Sequence, residues 1–271
     1  MTKIVSFNVN SVNARLENIK NWLKISNPDI ILLQELKCME EKFPKEQFLD
    51  LGYDCAIYGQ KSYNGVAILS KYKIEDVTKG LLTFSDDQQA RYIEAVIIIN
   101  QYAIRVASIY VPNGGGELQN NEKLEDSAKF KYKIDFFDKL KNHLSNLLKY
   151  NEIQIFGGDF NVAIDEIDCY DAQKFRGDIL FHDLERKKMR EIINLGLCDS
   201  FRSFNNDQQL FSWWDYRGNA WQYNKGCRID YLLTSPKASD LIKDSFIEDK
   251  GVRDQVKASD HCPVCLTLDL N

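Results

Sequence analysis

Two β-sheets packed face to face, with helices on their outer faces, are the α/β architecture predicted by three features of this 271-residue chain. Short β-branched runs bounded by turn residues recur from one end to the other. Only three segments carry apolar residues at helical spacing. No Ser/Gly/Pro-rich linker, low-complexity tract or like-charge block divides the chain, so one domain spanning 1–271 is expected, near the upper size for a single core.

In chain order, the pattern gives a strand at 3–9 and an amphipathic helix at 13–26. That helix must stop before Asn27-Pro28, because proline disfavours the helical conformation in the residue it follows. The run Ile30-Ile31-Leu32-Leu33 makes a buried strand at 29–34, and strands at 53–58, 64–70, 92–99 and 103–110 follow through turn-rich links. The longest helix covers 126–149. There Phe130, Ile134, Phe137, Leu140, Leu144 and Leu147 form the apolar stripe, and the lysines between them are assigned to the opposite, solvated face. After a strand at 152–157 comes a polar stretch at 162–180, long enough to expect a functional role. A helix at 181–195 and strands at 210–214, 228–234, 245–248 and 262–269 complete a second β-rich half, with no detectable internal repeat.

Apolar and charged fractions of 44% and 28% are those of a soluble globular protein. Met1-Thr2-Lys3 leads into a strand and no 18-residue apolar span occurs, so a cytoplasmic protein is expected. Seven scattered cysteines suit a reducing compartment. Cys262-Pro263-Val264-Cys265 has a metal-like spacing, but on a strand residues three apart face opposite ways and no second pair exists, so both are read as core. A net charge of -5 and a pI near 5.4 count against a generic nucleic-acid binder, and clustered acids that gather divalent cations would account for part of that charge.

The chemistry lies at strand ends. Glu35, Asp159, Asp230 and Asp260 each adjoin apolar strand residues, with Asn8 and Asn161 placed alike. Singly, each reads as an acid capping a turn; gathered together, carboxylate and amide oxygens are ligands for Mg²⁺ or Mn²⁺. His261 follows Asp260, and a carboxylate partner can orient an imidazole and keep it protonated. His143 and His182 fall in helices and are given structural roles. Asn113-Gly114-Gly115-Gly116 lacks the spacing of a phosphate-binding loop and reads as a turn, while Tyr110 just before it is a phenol donor at a strand end. The segment Phe211-Ser212-Trp213-Trp214-Asp215-Tyr216-Arg217 fits either core or a surface that stacks on nucleic acid. Arg186-Lys187-Lys188 and Arg190 read as a solvated helix face.

Eight short motifs, in order, resemble exonuclease III-type apurinic/apyrimidinic endonucleases of the endonuclease/exonuclease/phosphatase superfamily. They are Ser6-Phe7-Asn8-Val9-Asn10, Leu33-Gln34-Glu35-Leu36-Lys37, Gly65 to Ser70, Tyr110-Val111-Pro112-Asn113, Gly158 to Ala163, Phe211 to Arg217, Arg228 to Leu233 and Ser259-Asp260-His261-Cys262-Pro263. The resemblance implies a four-layer αββα sandwich of two mixed sheets flanked by helices. It implies that Glu35 binds Mg²⁺ (or Mn²⁺) with Asn8 and Asn10, with Asp260 at a second metal position. Asp230 would fix His261, Asp159 would orient or deprotonate water, and Asn161 and Tyr110 would hold phosphate oxygens. Trp213 and Ile229 would wall the sugar pocket, and Arg91, Asn113, Arg15 and Lys37 would lie near the DNA backbone. Ser11-Val12-Asn13-Ala14 and Leu36 depart from the family pattern.

The implied activity is a Mg²⁺-dependent DNA-repair phosphodiesterase cutting 5′ to abasic sites, with 3′-phosphatase, 3′-phosphodiesterase or 3′-to-5′ exonuclease activity. The expected partner is double-stranded DNA with abasic sites or blocked 3′ ends, bound by a monomer away from membranes. Two other readings stand beside it. A lipid head-group phosphodiesterase of the same superfamily would need an interfacial helix or anchor, and neither is found. A non-catalytic DNA-binding protein would normally have lost ligands, yet Glu35, Asp159 and His261 are all present.

Overall fold

A parallel strand pair needs a long crossover, and both parallel strand pairs among the described residues obtain it from a helix. The computed structural model describes residues 1–116 and 123–270. Its strands and helices, in chain order, are Thr2–Asn8 (β1), Leu16–Ser26 (α1), Ile30–Gln34 (β2), Lys45–Leu49 (α2), Asp54–Tyr58 (β3), Val66–Ser70 (β4), Ile74–Lys79 (β5), Tyr92–Ile99 (β6) and Tyr102–Tyr110 (β7). There follow Ala128–Leu148 (α3), Ile153–Asp159 (β8), Ala172–Phe175 (α4), Asp183–Ile193 (α5), Cys198–Asp199 (β9), Ser200–Phe204 (α6), Asp230–Thr234 (β10), Pro236–Ser239 (α7), Ile242–Ile247 (β11) and Val264–Leu268 (β12).

One six-stranded sheet has the order β11-β12-β1-β2-β4-β3 and the other β5-β6-β7-β8-β10-β9. The β1–β2 and β7–β8 pairs are parallel, bridged by α1 and α3; every other pairing is antiparallel. The two sheets therefore share one plan although the sequence shows no repeat. They also do not follow the two halves of the chain: β5, β6 and β7 join β8, and the last two strands return to β1. Apolar patterning marks which strands are buried, not which neighbours they choose.

Ile4, Ile30, Leu32 and Ile68 of the first sheet meet Ile93, Ile97, Val106, Ile155 and Leu232 of the second in a dry inner core. On the outer face of the first sheet, Ile19, Trp22 and Leu23 of α1 cover Val5, Phe7, Ile31 and Leu33. On the far side Phe137, Leu140 and Leu144 of α3 and Met189 and Ile192 of α5 cover Ala107, Ile109, Phe156 and Leu233. These are the four layers. Asn27 closes α1 in the left-handed conformation (φ 48°), its N–H on the Leu23 carbonyl, so the chain turns before Pro28 as expected.

Several expectations fail for identifiable reasons. No strand forms at 210–214; only Trp213 makes isolated bridges there, to Cys227 and His261. β5 and β9 were not foreseen, because Ile74–Lys79 is an edge strand of mixed polarity and Cys198–Asp199 is two residues long. Lys133 lies on the buried face of α3. The basic run of α5 is not merely solvated either: Arg186 and Arg190 donate to the Ile164 carbonyl (2.8 and 2.9 Å) and Lys188 to Asp138 (2.6 Å). Cys262 and Cys265 are buried and free, as expected. Among the described residues no helix is long and apolar enough to cross a membrane.

Two glycines let β8 approach its neighbours. A Cβ on Gly157 would stand 2.5 Å from Leu32 Cδ1 and 2.6 Å from Leu232 Cδ2, and one on Gly158 would stand 2.0 Å from the Ile109 carbonyl oxygen. Gly157→Ala overpacks the seam between the sheets and is expected to cost about 1–3 kcal/mol in urea unfolding. An unchanged midpoint would show that the sheets can slide apart freely.

Candidate active site

Strand register brings the functional side chains to one edge of both sheets. Asn8 ends β1 opposite Gln34 at the end of β2, Tyr110 ends β7 opposite Asp159 at the end of β8, and Asp159 faces Asp230 at the start of β10. Glu35 follows β2 directly with φ 53°, and Asn10, Lys37 and Asn161 also take left-handed φ values of 45°, 54° and 51°. Such turns are costly for residues other than glycine, and here they bend each chain so that its polar side chain faces the crevice.

Glu35, Asp159 and His261 converge, each offering an atom within 4.8 Å of the others. Asn8 Nδ2 donates to both Glu35 Oε1 and Asp159 Oδ2 at 2.8 Å, tying the two carboxylates together. His261 Nδ1 lies 2.9 Å from Asp230 Oδ2, and its Nε2 lies 3.7 Å from Asp159 Oδ2. An ionised carboxylate only accepts, so Nδ1 carries a proton and Nε2 is the atom turned toward Asp159. Two hydroxyls that the sequence did not signal complete the frame. Ser212 donates to Asp230 Oδ2 at 2.6 Å and accepts from the Ile229 and Asp230 amides at 3.1 Å, while Ser259 donates to the Asn8 carbonyl at 2.7 Å and accepts the His261 amide at 3.2 Å.

Burial gives this cluster unusual proton affinities. Asp159 is pushed up to about 8, chiefly by desolvation and further by Asp230 and Glu35, against the pull of His261. Desolvation acts to lower His261, but Asp230 and Asp159 overcome it and hold the imidazole at about 10. Tyr110 is pushed well above the ordinary phenol range by burial and by Glu35 and Asp159, so it stays a donor. The result is a buried acid beside a fixed imidazolium.

The other expected site residues are placed differently. Asp260 stands outside the converging group; it accepts from Asn10 Nδ2 at 2.8 Å and from Trp213 Nε1 at 3.1 Å. Lys37 pairs with Glu35 Oε2 at 2.7 Å and also donates to Asn10 Oδ1. Arg15 donates to the Tyr216 hydroxyl at 3.1 Å. Asn113 Nδ2 donates to Asn161 Oδ1 at 3.0 Å, and Asn161 Nδ2 to the Val111 carbonyl at 3.0 Å. Ile229 is buried in a small cluster with Cys169 and Cys227, against which the half-buried Trp213 packs. Arg91 stacks over the Tyr110 ring (4.9 Å) and lines an open cavity of about 420 Å³ with Gln60, Tyr63, Asn64, Gln89 and Asn113.

The donor set fits a hard divalent cation: two carboxylates held close by an amide in an otherwise buried edge, with one imidazole. Residues 5–261 match the Endonuclease/Exonuclease/phosphatase family. The chain belongs to that family. Among relatives in it, exodeoxyribonuclease III from Haemophilus influenzae is 32% identical over 97% of this chain and 98% of its own. The family fold is shared closely with two solved structures. A 3′ phosphatase, NExo, from Neisseria, bound to product DNA hairpin, is 36% identical with a TM-score of 0.91 over 99% of this chain and 100% of that one. An AP endonuclease from Archaeoglobus fulgidus is 32% identical with a TM-score of 0.90 over the full length of both. The family is one of metal-dependent nucleases, consistent with the single acidic cluster found among the described residues.

Proposed function

We propose that this protein is a Mg²⁺-dependent DNA-repair phosphodiesterase that cuts the backbone 5′ to abasic sites and also processes blocked 3′ ends. One observation carries the reading: His261, pinned by Asp230, meets Asp159 and Glu35 at the shared edge of two sheets. Glu35 would hold the cation, with Asn8 and Asp159 in reach. Mg²⁺, when bound, supplies positive charge to the phosphoryl oxygens.

The chain's own groups do the rest. Asp159, whose proton affinity burial raises to about 8, would be shifted toward its ionised form by a cation held at Glu35, and in that form orients a water in line with phosphorus and accepts its proton. Protonated His261 and the Tyr110 hydroxyl donate to phosphoryl oxygens as negative charge builds there, and the second Asn161 amide hydrogen is directed to the same group. Arg91, Gln89, Asn64 and Asn113 around the cavity suit a stretch of phosphodiester backbone. The Trp213 face over Ile229 receives the base-free sugar, which has lost its stacking and pairing and so extrudes at little cost. Residues 1–271 act as one catalytic domain and as a monomer, since one chain supplies every group named.

The test compares a duplex bearing one abasic analogue with a hairpin ending in a 3′-phosphate, both with Mg²⁺. A nick 5′ to the abasic position supports the reading; an intact abasic strand overturns it, and 3′-phosphate release alone would mark a pure 3′-end enzyme. Trp213→Ala is expected to lower kcat/KM for the abasic duplex by about 10–100-fold, roughly 1.4–2.7 kcal/mol of transition-state binding, and to affect release of the 3′-phosphate less. Equal losses on both substrates would remove Trp213 from abasic recognition.

A further inference from the structure

Lys133 is wholly buried on the inner face of α3, where the sequence pattern places no charge. Its ammonium has three hydrogens and meets three acceptors: the Asn161 carbonyl at 2.7 Å, the Asn113 carbonyl at 3.1 Å and Glu185 of α5. The other Glu185 oxygen accepts the His182 amide at 3.3 Å, so the pair is anchored at the N-terminus of α5. Gly114 explains itself here, because a Cβ on it would meet Lys133 Cδ at 2.7 Å, and its φ of 84° suits glycine. The turn that reads in sequence as a loose triglycine is a passage for a lysine stem.

We infer that Lys133, charge-balanced by Glu185, is a positioning residue that sets the Asn113 and Asn161 amides and the Asp159 carboxylate from behind the crevice. The inference rests on the phosphodiesterase reading above. The two residues whose carbonyls Lys133 binds are joined side chain to side chain at 3.0 Å, and the Asn161 backbone N–H donates to Asp159 Oδ1 at 2.9 Å. One ammonium thus fixes the backbone of both loops that carry polar groups to the phosphate. A buried ion pair is a poor device for stability alone, since apolar side chains of the same volume usually serve as well or better. Its value at this place is directional: carbon chains could fill the space but could not hold two carbonyls.

The test removes the charges together. Lys133→Met alone strands the Glu185 carboxylate and is expected to lower both the unfolding midpoint and activity. Lys133→Met with Glu185→Gln removes both charges at nearly constant volume, so the midpoint should return to within a few degrees of wild type. On the abasic duplex, kcat should nonetheless stay at least about tenfold down with KM changed by less than about threefold, as loss of alignment in the transition state requires. A kcat within about twofold of wild type in that double variant would reduce the pair to a structural staple and overturn the inference. Should the methionine pair lack a cooperative transition, Lys133→Gln with Glu185→Gln is read in the same way. A second readout is independent of turnover: the side-chain amide NMR signals of Asn113 and Asn161 should move or broaden in the double variant. If wild type fails to incise, the phosphodiesterase reading falls by itself, and unmoved amide signals would still sink the positioning role.

Discussion

Asp159→Asn is expected to lower kcat on an abasic duplex by about 10²–10⁴-fold while the protein stays folded, the range associated with losing a positioned proton acceptor. The amide keeps the carboxylate's size and its one oxygen can still accept the Asn161 backbone N–H, while its NH2 replaces the oxygen that met Asn8 Nδ2, so the basicity is lost together with one hydrogen bond. Stability should change in the opposite direction. The folded protein holds the Asp159 proton up to about 8, above the value of 3.8 for a free carboxyl, so ionising this group weakens folding increasingly between those two pH values. Above pH 8 that cost is complete. At neutral pH without divalent cations, the Asn variant should therefore unfold at an equal or higher midpoint than wild type; a clearly lower midpoint would mean that the carboxylate is a net structural support.

His261→Ala should cost activity on a similar scale, but Asp230→Asn is the more informative change. Asp230 is the strongest of the charges that keep His261 protonated up to about 10 despite burial. Because the folded pKa lies above the free value of 6.5, this group adds stability below pH 6.5 and loses it as pH rises through 10. Activity that needs the imidazolium should persist to the same alkaline limit in wild type. In Asp230→Asn the Nδ1 partner becomes neutral, so the alkaline limb should move down toward neutrality and kcat should fall by about 10²–10⁴-fold. A profile that keeps its alkaline limb would show that another group than His261 controls it.

Sequence made the layers and most of the site readable, for a physical reason. The buried strand Ile30–Gln34 is a nearly continuous apolar run, Ile153–Asp159 sets two isoleucines and a phenylalanine before Gly157 and Gly158, and a carboxylate at the end of either stands out. Their convergence was an expectation, and register supplied it: parallel β1 and β2 bring Asn8 and Glu35 together, and antiparallel β8 and β10 set Asp159 against Asp230. What was missed is masked by residue type. Ser212 and Ser259 are ordinary hydroxyls until their partners are known, and Lys133 stands in the buried register, three residues after Phe130 and four before Phe137, but its charge assigns it to solvent. Sheet membership escaped for a related reason, since the edge strand Ile74–Lys79 carries as many polar residues as a loop. Asp260 reads as part of the acidic cluster by its place next to His261, yet the chain bends at Asp260 and its side chain turns to Asn10 and Trp213 instead.

Titration of the purified protein with Mn²⁺, followed by electron paramagnetic resonance and with Mg²⁺ as competitor, tests the central arrangement most directly. Wild type should take up the ion in a site that Mg²⁺ empties, and Glu35→Gln should weaken that uptake by at least about tenfold, the loss expected on removing a charged oxygen ligand. Equal affinity in the two proteins would place the cation somewhere other than the edge where Glu35, Asp159 and His261 meet.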